Sequence, residues 1–120
     1  MINILILDNN LTMHKLYTKY CNKFIHKEFR LHFAYDHEEF NELLNDNIDF
    51  IIFEQNIDGD IDGITTILEH HPKFKSLLFV TAANEDADIR KIENKQIEYV
   101  VKPFSPILFK NKIAQFIDIT

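Results

Sequence analysis

The sequence predicts a doubly wound α/β fold, a five-stranded parallel sheet covered by helices on both faces. Three observations predict it. Apolar runs of strand length alternate, five times along 120 residues, with segments whose apolar residues recur at three- and four-residue steps. Most of the runs are apolar at successive positions, as expected of strands buried on both faces. Each run gives way to polar residues, and the connections are only a few residues long.

Ile2 to Leu7 is the first run and ends in Asp8-Asn9-Asn10. Thr12 then opens a helix as its expected N-cap, with Met13, Leu16, Tyr17, Tyr20, Cys21 and Phe24 on the inward stripe. Phe29, Leu31 and Phe33 alternate with Arg30 and His32, a strand with period two. Asp36 caps a short helix carrying Phe40, Leu43 and Leu44. Phe50 to Phe53 is the next run, followed by Glu54, Gln55 and Asn56 and a Gly/Asp-rich loop through Gly63. Ile64, Ile67 and Leu68 start a third helix that ends before Pro72. Leu77 to Val80 is a buried run closed by Thr81, and a short polar helix is expected over Asn84 to Ile92. Ile97 to Val101 is the last strand. After Lys102-Pro103-Phe104, Ser105 caps a helix with Pro106 at its first position, running to about Ile117.

The composition suits one compact domain, residues 1–120, with no internal linker or repeat. It is 46% hydrophobic and 27% charged, far from a disordered chain. A net charge of −6 without a basic cluster argues against direct nucleic-acid binding. No stretch approaches 18 apolar residues, so no membrane span is expected, and the apolar start lacks a basic leader. The single cysteine, Cys21, excludes an internal disulfide and favours a reducing compartment, so a cytoplasmic protein; on the helix stripe it reads as a buried, inert thiol. Two glycines cannot build a phosphate cradle, and no G-x-S-x-G is present, which disfavours a nucleotide-dependent or serine-nucleophile enzyme. The six histidines are scattered. The adjacent pair His70-His71 points in two directions on a helix end, so joint metal binding is not expected.

In open α/β sheets, ligands bind at the carboxyl ends of the strands. The residues that follow the runs are Asp8 and Asn9, Glu54, Thr81 and Lys102. Polar residues end strands routinely, but two carboxylates, an amide, a hydroxyl and an ammonium together could hold an ion.

The stretches Ile4-Leu5-Ile6-Leu7-Asp8-Asn9, Asp49-Phe50-Ile51-Ile52-Phe53-Glu54, Asp62-Gly63, Phe79-Val80-Thr81-Ala82 and Tyr99-Val100-Val101-Lys102-Pro103-Phe104 occur in this order across the chain. In this pattern the sequence resembles the CheY-like receiver domain of response regulators in two-component systems. The resemblance implies a flavodoxin-like strand order 2-1-3-4-5. It further implies a phosphoacceptor carboxylate at Glu54, Mg²⁺ held by Asp8, Asn9, Glu54 and Asn56, phosphoryl contacts from Thr81 and Lys102, and a switching aromatic at Tyr99. Phosphorylation by a histidine kinase would bias a surface of the fourth helix, fifth strand and fifth helix. A signalling protein or a fused output domain would read that surface.

Two departures fall on the chemistry. Asn9 stands where the pattern has a second acidic residue, which weakens the Mg²⁺ site. Glu54 stands where it has aspartate. Glutamate is longer by one C–C bond, about 1.5 Å, and phosphoryl transfer depends on positioning. The expected behaviour is therefore independent of phosphorylation. Three readings of Glu54 stay open: a partial mimic of the phosphorylated state, with one charge against roughly −1.5 to −2; a decayed site in which Glu54 pairs with Lys102; or a Mg²⁺ site phosphorylated weakly elsewhere, as on Asp8.

The loop carries a second pattern. Asp58, Asp60, Asp62, Gly63 and Glu69 match D-x-D-x-D-G-x₅-E, the calcium loop of EF-hands, and make it an alternative site for Ca²⁺ or Mg²⁺. Its context disagrees, because a strand precedes it and Thr65 stands where an apolar residue belongs. Finally, the last helix has more apolar residues than one buried face needs. Phe109, Ile113 and Phe116 form the inward stripe, leaving Ile107, Leu108, Ala114 and Ile117 as extra core or as a homodimer or partner surface.

Overall fold

The computed structural model describes residues 1–54, 75–81 and 97–117. Among them are five strands, β1 (Ile2–Leu7), β2 (Phe29–Ala34), β3 (Phe50–Glu54), β4 (Leu77–Thr81) and β5 (Ile97–Val101). Three helices accompany them, α1 (Leu11–Phe24), α2 (His37–Leu43) and α3 (Pro106–Ala114). The strands form one sheet in the order β2-β1-β3-β4-β5, parallel throughout. The helices expected over 64–71 and 84–92 lie outside the described residues.

Successive strand residues point to opposite faces, and here both faces are covered. Ile4, Ile6, Phe50 and Ile52 join Tyr17, Tyr20, Cys21 and Phe24 of α1 and Phe109 and Ile113 of α3 in one core. Leu5, Leu7, Ile51, Phe53 and Leu77 join Phe40 of α2 in the other. This is the physical reason for the continuous apolar runs: β3, in the middle of the sheet, is buried at all five positions. At the margin, β2 is mostly half-buried, which accounts for its alternation of apolar and polar residues. Burial pushes the Cys21 thiol up to about 12, so it stays protonated inside the core, as its place on the stripe implies.

The caps of α2 and α3 are the expected ones. Asp36 Oδ1 accepts from the Glu39 amide at 2.8 Å, and Ser105 Oγ accepts from the Leu108 amide at 3.1 Å, with Pro106 in the first turn. Helix α1 differs. Its N-cap is Asn10, not Thr12: Asn10 Oδ1 accepts from the amides of Thr12, at 2.8 Å, and Met13, at 3.4 Å. The Asn10 amide is itself held by Asp8 Oδ1 at 2.8 Å, so the turn that leaves β1 already aims the helix. The last helix is also shorter than expected. It ends at Ala114 and continues as turns, with amide-to-carbonyl bonds from Phe116 and Ile117 to Ile113 at 3.1 and 3.0 Å. The turns fold Phe116 onto Phe50, ring centroids 5.8 Å apart, and bring Ile117 onto the core as well. Ile107 and Leu108 stay 60% and 39% exposed.

Candidate functional site

Parallel registry aligns the strand ends. Leu7 pairs with Phe53, Glu54 with Val80, and Thr81 with Val101. The residues that follow β1 and β5, Asp8 and Lys102, therefore arrive at the same edge as Glu54 of β3. Asp8 and Glu54 are buried, 1% and 5% exposed. Lys102 reaches between them: its Nζ lies 2.5 Å from Glu54 Oε2 and 3.7 Å from Asp8 Oδ2. Lys102 is joined to Pro103 by a cis peptide bond.

The position of Asp8 is fixed from several sides. Its amide donates to the Ala34 carbonyl at 3.1 Å, and its Oδ1 takes the Asn10 amide. Its backbone carbonyl accepts from His14 Nε2 at 2.5 Å. A carbonyl only accepts, so this bond puts the imidazole proton on Nε2. The buried His14 ring is stacked between Phe33 and Tyr35, with centroids 4.7 and 4.6 Å away. Asp8 Oδ2 is different: it accepts no hydrogen bond among the described residues.

The chemistry of this edge is that of two carboxylates against one ammonium, a formal charge of −1 in a buried setting. Carboxylate oxygens are hard donors suited to Mg²⁺, and Asp8 Oδ2, which accepts no hydrogen bond among the described residues and meets Lys102 only at 3.7 Å, fits such an ion. Asn9, by contrast, is exposed. Among the described residues no three of His, Cys, Asp and Glu gather as a metal cluster. Asn56 and the alternative loop Asp58, Asp60, Asp62 and Glu69 lie outside the described residues. For Thr81 the backbone alone is described, at the end of β4 beside Val101.

Tyr99 sits two residues before the edge, half-buried against the core on the α2 side. Its amide donates to Glu98 Oε1 at 3.0 Å. The same Glu98 oxygen takes Lys112 of α3 at 3.2 Å, and the Lys112 ammonium stands 5.7 Å from the Tyr99 ring centroid. Sequence reasoning missed Glu98 and Lys112, since their pairing needs β5 and α3 side by side. It missed the part of His14 too, although His14 precedes Tyr17 by one helical turn on the inward face. Tyr17 stands on the inward stripe that the sequence predicts for α1, a position that implies the core and carries no sign of the site. It is fully buried, and its phenol is held well above the usual range by burial and by the carboxylates of Asp8 and Glu54.

A two-layer-covered parallel sheet with an acidic pair and a lysine at its carboxyl edge defines the class: a doubly wound α/β domain with an ion-pairing site at the strand ends. Comparison with solved structures narrows the fold to that of response-regulator receiver domains. A receiver domain protein of Clostridium thermocellum superposes with a TM-score of 0.78 at 15% identity, over 98% of this chain and 95% of that one. The chemotaxis protein CheY4 of Vibrio cholerae gives 0.73 at 17% identity, over 98% and 99%. The response regulator DrrB of Thermotoga maritima, an OmpR/PhoB homolog, gives 0.75 at 19%, over 97% of this chain and 52% of DrrB. No family model and no curated protein matches the chain. No described helix is long and apolar enough to cross a membrane.

Proposed function

We propose that this chain is a receiver-type signalling domain that works without phosphorylation at Glu54 and acts by protein contact, turning over no small molecule. One observation carries the reading: the Lys102 ammonium, which the resemblance assigns to a phosphoryl group, rests on Glu54 itself at 2.5 Å. Glu54 thus supplies the negative charge that this lysine would otherwise meet after phosphoryl transfer. Being longer than aspartate, it also presents its oxygens differently to an incoming phosphoryl donor.

The Asp8 and Glu54 carboxylates, with the Asn9 amide as a neutral oxygen, are the groups that would hold Mg²⁺. Loss of one anionic ligand makes this a weak site. The bound ion would supply charge neutralisation at the edge. The output surface in this reading is β5 and the last helix, where Ile107 and Leu108 present apolar area to a signalling protein, a fused output domain or a second copy. The 52% coverage of DrrB supports the fused arrangement as one form that such a domain takes. A histidine kinase is the upstream partner only for a chain with a competent acceptor.

The test is to incubate the chain and its Glu54→Asp variant with Mg²⁺ and acetyl phosphate and to weigh both intact. The expected result is a phosphoryl group on the variant alone, which favours mimicry by Glu54. If neither is modified, the site is a decayed scaffold. Modification of the unaltered chain would overturn the reading.

A further inference from the structure

Near the carboxyl edge, Asp8 Oδ2 and the Tyr17 hydroxyl are buried without a hydrogen bond among the described residues, and Asp8 Oδ2 meets only the Lys102 ammonium, at 3.7 Å. An unpaired buried polar group is costly, and so each one asks for a physical reason. Packing alone does not explain the hydroxyl, because phenylalanine would offer the same ring.

The setting of Tyr17 supplies a reason. It lies one turn after His14, whose ring nitrogen holds the Asp8 carbonyl at 2.5 Å, so both residues share the inward face of α1. Helical side chains lean toward the N-terminus of their helix, and the N-terminus of α1 adjoins the turn that carries Asp8. The Tyr17 ring packs against Phe104 and Phe109, with centroids 6.4 and 5.9 Å away, and Phe104 follows Lys102 by two residues. The ring is thus held against the segment that follows Lys102, on the face of α1 that also meets Asp8 through His14. Both carboxylates, Asp8 before Glu54, add to the effect of burial in holding the phenol proton. Such a phenol is a hydrogen-bond donor and not an anionic ligand.

We propose that Tyr17 is a positioning residue of the cation site, donating its hydroxyl proton to a water carried by a Mg²⁺ ion on Asp8 and Glu54. The inference rests on the magnesium reading above and deepens it. Mg²⁺ binds through few protein ligands and keeps several waters. Where Asn9 has removed one anionic ligand, a fixed donor to a bound water orients the ion's shell without adding charge.

The test is calorimetric titration of the whole chain with Mg²⁺, beside Tyr17→Phe and Asp8→Asn. Tyr17→Phe is expected to match or exceed the parent in metal-free thermal stability, since it deletes an unpaired group, and to bind Mg²⁺ about three- to tenfold more weakly. Asp8→Asn is expected to lose binding. In the parent, saturation with Mg²⁺ should shift the tyrosine absorption, and the shift should be missing in Tyr17→Phe. Equal affinity of parent and Tyr17→Phe, or a parent spectrum that Mg²⁺ leaves unchanged, overturns the role of Tyr17 while the site stands. A parent that binds no Mg²⁺ at millimolar concentration sinks the magnesium reading and this inference together.

Discussion

Lys102 is the residue on which the edge depends. It is the cation between two buried carboxylates, and its own side chain is about one-quarter exposed. Removing one member of a buried pair costs more than the pair contributes, because the other charge is left without compensation. Lys102→Met is therefore expected to lower stability by about 3 kcal/mol in urea unfolding. Adding Glu54→Gln to that variant should restore much of the loss, since the strongest uncompensated charge is then gone. A double variant no more stable than Lys102→Met would show that Glu54 and Lys102 are neighbours without energetic coupling. The types Asp8, Glu54 and Lys102 were legible in the sequence, because each follows an apolar run. The direct seat of Lys102 on Glu54 was one of several open alternatives, since side-chain reach across three strands is a matter of packing. The His14 bond to a backbone carbonyl had no sequence signal, because every residue offers a carbonyl.

At the scale of elements, the strands were legible and the helix starts less so. Burial on both faces writes itself into the sequence as consecutive apolar residues, as in Phe50 to Phe53, and the edge position of β2 as alternation. A helix start is a local contest among cap-type residues, and Asn10 and Thr12 both qualify. Asn10 prevails because Asp8 Oδ1 already holds its amide at 2.8 Å, which sets the turn before the helix begins. Asn10→Ala should thus cost about 1 kcal/mol of stability, while Thr12→Ala, at an exposed first-turn position, should change it by less than about 0.5 kcal/mol. Chemical unfolding of the two variants checks this, and the reverse ranking would return the cap to Thr12. The end of α3 carries the same lesson. Its apolar periodicity continues through Phe116 and Ile117, yet the backbone leaves the helix at Ala114 because turns serve equally well to fold both side chains onto the core.

For the whole molecule, the sheet divides the labour. Its carboxyl edge gathers the charges, among the described elements one face is packed by α1 and α3 and the other by α2, and β5 is the last strand of the sheet, beside α3. The division was legible because strand order and the two-sided core follow from the alternation of runs. The fate of the surplus apolar residues on the last helix was not, since periodicity does not say which of them the core has room for. Ile117 went to the core; Ile107 and Leu108 did not. Two large aliphatic side chains in succession at the exposed start of α3 lose hydration cost when covered, at roughly 25 cal/mol per Å² of apolar area. A second copy of the chain is the simplest cover, and symmetric pairing would use the same patch on both molecules. Light scattering across a concentration series is expected to show a dimer at high concentration, and Ile107→Asp to remain monomeric. Because Ile107 is exposed, the substitution should leave the unfolding midpoint nearly unchanged, within about 0.5 kcal/mol, which separates loss of association from loss of fold. A parent chain that stays monomeric throughout would assign the patch to a different protein or to a fused output domain. A variant that dimerises as well as the parent would move the self-association surface away from α3.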